Sequence, residues 1–141
     1  IERAAGPALT EEGDRLVRER GRIPVGGAVV TTAGKLPFKG VIHAVGPRLG
    51  DGNEEGKLAQ ALTQAFTLAG EKRWRSLSFP AVSSGIFAVP IDACARAYVR
   101  AVQQFFSTRP DTSLATIRLC LFEGPVVETV ARLIDALATS R

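Results

Sequence analysis

The chain has 141 residues, of which 45% are hydrophobic and 23% charged, and its formal net charge is +4. That suits one domain with one real core and ordinary globular composition. It excludes a transmembrane helix, since no apolar run approaches the roughly 20 residues that a span needs, and no signal peptide is visible.

The sequence contains no methionine, so Ile1 is not an initiator, and the expectation is a trimmed chain with structure upstream of it. Residues 8–20, ALTEEGDRLVRER, set Leu9, Leu16 and Val17 among charges and predict a surface helix, weakened by Gly13. A proline and glycines punctuate 22–27. The β-branched run AVVTTA, 28–33, predicts a strand, and GVIHAVG, 40–46, predicts a second one close enough to pair with it. His43 is the one histidine, and its mid-strand place reads as a satisfied core residue.

A polar, glycine-rich loop spans 47–56, and a helix follows over 57–71, with Leu58, Leu62, Ala65, Phe66 and Ala69 on one stripe. SLSFPAV, 76–82, predicts a short buried strand. Pro90 suits the first position of a helix to about 106, whose stripe is Cys94, Ala97, Tyr98, Ala101, Val102 and Phe105. ATIRLCLF, 115–122, predicts a strand, and Val127, Val130, Leu133, Ile134 and Leu137 form the inner stripe of a helix over 126–138. The two cysteines, Cys94 and Cys120, fall in apolar segments and read as core thiols of a reducing, cytoplasmic compartment. No metal site or cofactor is implied.

Strands alternating with helices predict an α/β sandwich with a largely parallel central sheet. In such sheets ligands bind beyond the carboxyl ends of the strands, so 45–53, 82–89 and 122–125 should share one rim. The stretch PAVSSGIFAVP, 80–90, places Ser83, Ser84 and Gly85 where a strand hands over to a helix. Unpaired amides, the helix dipole, a glycine that admits close approach and serine hydroxyls together suit a phosphate. The same pattern also suits a plain turn. The chain has no G-x-x-x-x-G-K-[ST], no G-x-G-x-x-G and no G-x-S-x-G. The basic residues are scattered and aromatics are 6%, which reads as a solvated surface rather than a nucleic-acid footprint.

Taken together, AAGP at 4–7, GKLPFKGVIHAVGP at 34–47 and SLSFPAVSSGIFAVP at 76–90 resemble the macrodomain family, whose members bind ADP-ribose. The likeness is to macrodomains attached to ADP-ribosyltransferases and to related microbial ones. The resemblance implies a single three-layer α/β/α domain with a mixed, largely parallel sheet. It implies ADP-ribose, or a mono-ADP-ribosylated protein, as the partner of a monomer, with neither membrane nor nucleic acid involved. It assigns the diphosphate to the loop Val82, Ser83, Ser84, Gly85, Ile86, Phe87 and Ala88, with Phe87 near the distal ribose. It sets Phe122 against the adenine, and Val45, Gly46 and Pro47 in a pocket wall.

The sequence departs from the family pattern in three places. Ala88 stands where glycine is common, which costs little at negative φ and is strained at positive φ. The family's N-terminal strands and first ligand loop are expected upstream of Ile1. Hydrolytic members carry a histidine where this chain has Glu2, so no catalytic residue is assigned. The alternative function is hydrolysis of an ADP-ribosyl ester or of ADP-ribose 1″-phosphate, which needs an activated water. The carboxylates near the rim are Asp51, Glu54, Glu55 and Glu123, the first three in a loop of ordinary solvated composition, and the resemblance implies that catalysis can lean on ligand geometry and on residues upstream of Ile1.

Overall fold

The computed structural model describes residues 2–84, 87–121 and 125–139. The chain runs α1 (Glu2–Ala5), α2 (Pro7–Arg20), β1 (Ala28–Thr31), β2 (Val41–Ala44), α3 (Glu54–Glu71), β3 (Ser76–Phe79), α4 (Ile91–Thr108), β4 (Thr116–Leu119) and α5 (Pro125–Thr139). The predicted order holds, with the short α1 added in front.

The fold is α/β, and its strands form a mixed set. β1 pairs antiparallel with β2, setting Val29 opposite His43 and Thr31 opposite Val41. β3 pairs parallel with β4, Leu77 opposite Ile117. Among the described residues the strands therefore divide evenly between the two orientations, in separate two-stranded sheets.

Both sheets are joined through one core. Leu58, Leu62, Phe66 and Ala69 of α3 pack with Ala97, Ala101 and Phe105 of α4, and Phe79 of β3 enters the same cluster. Phe66 meets Phe105 edge-on with ring centroids 5.7 Å apart, and Phe79 meets Tyr98 edge-on at 5.5 Å, the geometry that ring quadrupoles favour. Ile42 of β2 packs against this cluster, as do Leu77, Ile117 and Leu119. Each large side chain buried there contributes about 1.5–3 kcal/mol.

The strands are shorter than their apolar runs, for local reasons. The Gly26 amide donates to the Val45 carbonyl (2.8 Å) and the Val45 amide to the Gly27 carbonyl (3.0 Å), so two residues face one at the exit of β2. Gly26 has φ +90°, which makes this a glycine-bearing bulge that closes the ladder. At the other end the Thr32 amide leaves the strand to donate to the Glu12 carboxylate of α2 at 2.8 Å. β3 stops at Phe79 because Pro80 has no amide to continue it.

α3 starts earlier than its apolar stripe, at Glu54. Asn53, in the left-handed region at φ 47°, ends the loop, and Glu54 and Glu55 occupy a first turn whose dipole favours acidic residues.

Val17 is 46% exposed, as suits a surface helix. One expectation is corrected and one falls outside the description. Cys120 is exposed, because β4 alternates with Ile117 and Leu119 toward the core, and residue 120 takes the other side. The side chain of Leu137 lies outside the described residues.

His43 is structural, as its mid-strand place predicts. The Thr31 hydroxyl donates to the Thr32 carbonyl (3.0 Å) and shares a 2.8 Å hydrogen bond with His43 Nε2. This hydrogen bond ties β1 to β2 across the ladder. No helix among the described residues is long and apolar enough to cross a membrane.

Phe105→Ala tests the core. It is expected to lower unfolding free energy by about 3–5 kcal/mol, read as a lower urea midpoint at unchanged slope. A loss under about 1 kcal/mol would contradict the central place given to this ring.

Candidate functional site

Two of the three expected rim segments meet where β2 and β3 end. Gly46 lies directly under Ser83: a Cβ on Gly46 would collide with Ser83 Oγ and stand 2.9 Å from Val82 Cγ1. Pro47, buried beside it, continues the wall. Farther out the Leu49 amide donates to the Phe87 carbonyl at 2.8 Å, and the Arg48 guanidinium carbon stands 5.9 Å from the centre of the Phe87 ring. Of the third segment, Phe122 and Glu123 lie outside the described residues, as do Gly85 and Ile86 of the loop.

The loop after β3 is held from inside. The Tyr98 hydroxyl of α4 donates to the Val82 carbonyl at 2.7 Å, and Tyr98 is 2% exposed. Burial, and next the neighbouring Cys94 thiol, push the Tyr98 phenol well above its ordinary pKa, so it stays a neutral donor at any physiological pH. Burial raises the Cys94 thiol too, and its sulfur donates to the Val89 carbonyl at 3.6 Å.

Within the loop the amides of Val82, Ser84, Ala88 and Val89 donate to the carbonyls of Pro80, Ala81, Ser84 and Ser83 respectively. The amides of Ser83 and Phe87 take no such partner among the described residues. The Ser84 hydroxyl donates to the Ala81 carbonyl at 2.6 Å and braces the turn. Ser83 Oγ is buried and without a hydrogen-bond partner among the described residues.

The turn is strained. Ser83 has φ +66° and Ala88 φ +61°, where a Cβ costs about 1–2 kcal/mol per residue. Ala88, where the family pattern has glycine, thus adopts the conformation that glycine tolerates. Such strain persists where surrounding contacts over-determine the backbone. Here those contacts are the Tyr98 hydrogen bond and the close approach of Gly46.

The rim carboxylates hold structure together. Asp51 accepts the Arg48 amide at 2.9 Å, and its carbonyl accepts Lys57 Nζ at 2.8 Å. Glu54 accepts the Gly50 amide at 2.8 Å, and that bond holds its carboxyl below the usual range. Its contribution is present above the ordinary carboxylate pKa and fades as pH falls through the lowered one. Glu55 pairs with Arg96. A separate concavity of about 620 Å³, lined by Leu9, Leu16, Val17, His43, Gln60 and Gln64 among others, shares no lining residue with 45–53 or 82–89.

The model of the Macro domain family matches residues 1–98. The chain belongs to the macrodomain family. An uncharacterised protein of Thermotoga maritima is 46% identical over 122 residues, 85% of this chain and 20% of that protein. Human protein mono-ADP-ribosyltransferase PARP14 is 35% identical over 98% of this chain and 8% of its own length. The O-acetyl-ADP-ribose deacetylase of Escherichia fergusonii is 41% identical over 76% of this chain and 62% of its own. The chain thus spans less than two thirds of each of these relatives. Among solved structures, the Oceanobacillus iheyensis macrodomain with ADP superposes at TM-score 0.89 and 25% identity, covering 100% of this chain and 75% of that one. The Trypanosoma brucei macrodomain in complex with ADP-ribose shares the fold at TM-score 0.77 and 23% identity, over 96% of this chain and 53% of its own.

Sequence reasoning put Tyr98 in the core stripe and did not single out Arg48. The spacing of Tyr98 on α4 signals burial, and only a buried phenol's need for an acceptor hints at its second task. Two substitutions test the loop. Tyr98→Phe leaves the Val82 carbonyl without its donor and is expected to cost about 1–2 kcal/mol, measured by urea unfolding. Ala88→Gly is expected to raise stability by up to about 1 kcal/mol, since relief of the left-handed strain exceeds the added freedom of the unfolded chain. A destabilised glycine variant would contradict the strain.

Proposed function

We propose that this chain binds ADP-ribose, free or carried on a protein, at the rim where 45–53 meets 82–89. The observation that carries the reading is the braced, strained turn seated on Gly46, with its hydroxyls turned inward and the Ser83 and Phe87 amides without a main-chain partner among the described residues. In this reading the Ser83 and Phe87 amides, with Gly85 and Ile86, supply main-chain donors to the diphosphate. Val45, Gly46 and Pro47 form a wall, Val82 and Ala88 flank the turn, Phe87 shields the distal ribose and Phe122 covers the adenine. The bound forms of the solved relatives support it, one carrying ADP and another ADP-ribose. The protein acts as a monomer in a reducing, cytoplasmic compartment where Cys94 and Cys120 stay free thiols.

A second reading, hydrolysis of an ADP-ribosyl ester, is favoured by the likeness to O-acetyl-ADP-ribose deacetylases. It needs a group to activate water. Asp51, Glu54 and Glu55 each make a structural hydrogen bond or ion pair, and Glu123 lies outside the described residues.

Titration calorimetry with ADP-ribose is expected to give a micromolar Kd, near −8 kcal/mol. Phe87→Ala should weaken it about tenfold through loss of aromatic contact. No heat up to about millimolar ligand rejects the reading. A mono-ADP-ribosylated protein followed for loss of label separates the two readings: binding with label retained supports a reader, and label loss supports the hydrolase.

A further inference from the structure

At the outer end of the rim, Arg48 and Leu49 extend past Phe87, the ring assigned to the distal ribose, and the nucleotide itself requires neither of them. Leu49 is 59% exposed and Phe87 39% exposed, and the hydrogen bond from the Leu49 amide to the Phe87 carbonyl fixes one beside the other. Arg48 lies over the Phe87 ring within the range of a cation–π contact. A contact of this kind is made by the charge over the ring and leaves N–H donors of the guanidinium open to an anion. Among the described residues Arg48 makes no ion pair, and the carboxylate beside it, Asp51, takes the Arg48 backbone amide. Side chains of this loop are therefore set by main-chain bonds that do not consume the guanidinium.

Resting on the reading that 82–89 holds the nucleotide, we propose that Arg48, Leu49 and Phe87 form a shelf that receives the polypeptide to which ADP-ribose is attached, and that Arg48 selects acceptors with a carboxylate close to the modified residue. An exposed apolar pair beside an arginine suits a peptide: Leu49 and Phe87 take its apolar atoms, and the planar fork of Arg48 takes a carboxylate bidentately. A lone phosphate would use the cation and leave the apolar pair without purpose. Arg48 acts here as a specificity-determining residue, outside the machinery that holds the nucleotide.

The test compares free ADP-ribose, an ADP-ribosylated peptide with glutamates flanking the modified residue, and the same peptide with glutamines in their place. Each is titrated into the wild type, Arg48→Ala and Leu49→Ser. The wild type is expected to bind the glutamate peptide about tenfold tighter than free ADP-ribose, with the advantage shrinking in high salt. Arg48→Ala should bring the glutamate peptide to within about twofold of the glutamine peptide while free ADP-ribose stays within about twofold of wild type. Leu49→Ser should weaken both peptides and spare free ADP-ribose. Equal affinity of the wild type for both peptides overturns the proposal, as does equal weakening of all three ligands by Arg48→Ala. Those results leave nucleotide binding standing, whereas a wild type that binds none of the three overturns both.

Discussion

The hydrogen bond from the buried Tyr98 hydroxyl to the Val82 carbonyl carries the architecture of the rim. It ties the backbone just beyond β3 to the middle of α4, the helix whose inner face packs with α3 in the main core. The loop is thereby referenced to the most deeply buried part of the molecule rather than to the surface. Gly46 supplies the complementary constraint, since the absence of a Cβ lets the end of β2 approach Ser83 and Val82. Together they hold two left-handed residues, Ser83 and Ala88, in a conformation each would leave if the loop were loose. A turn of this kind is pre-organised, so a bound anion need not supply the ordering entropy itself.

The second rim segment is braced differently. The loop between β2 and α3 buries little apolar surface, and main-chain groups meeting carboxylates hold it: Asp51 with the Arg48 amide and Glu54 with the Gly50 amide. The Leu49–Phe87 backbone bond then joins it to the other loop. The electrostatic result is asymmetric. Both carboxylates of this loop are satisfied locally, while the Arg48 guanidinium makes no ion pair among the described residues.

Much of the fold was legible because burial leaves a period. The α3 and α4 stripes named from spacing are buried, from Leu58 to Ala69 and from Cys94 to Phe105, with Val102 half-buried at their edge. Strand positions were legible too, but their ends were not. A bulge at Gly26, a carboxylate from α2 on the Thr32 amide and a proline after Phe79 shorten them, and two of these depend on contacts distant in sequence. Cys120 was misjudged because a continuous apolar run hides the alternation that sends it outward. At the site, the small residues of 83–85 drew attention to the loop after β3, and the family motif drew attention to Ala88. What local sequence did not carry was where the hydroxyls point. Ser84 turns back to Ala81 within its own turn, and Tyr98 reaches a carbonyl outside its helix, a choice made by three-dimensional packing.

The central claim is that main-chain donors of the 82–89 turn grip the diphosphate. Amide-resolved hydrogen exchange with and without ADP-ribose tests it most directly. The account predicts that slowing concentrates at the Ser83 and Phe87 amides and their immediate neighbours, with the 620 Å³ concavity beside α2 unchanged. Protection confined to that concavity, with the turn exchanging as before, would contradict it.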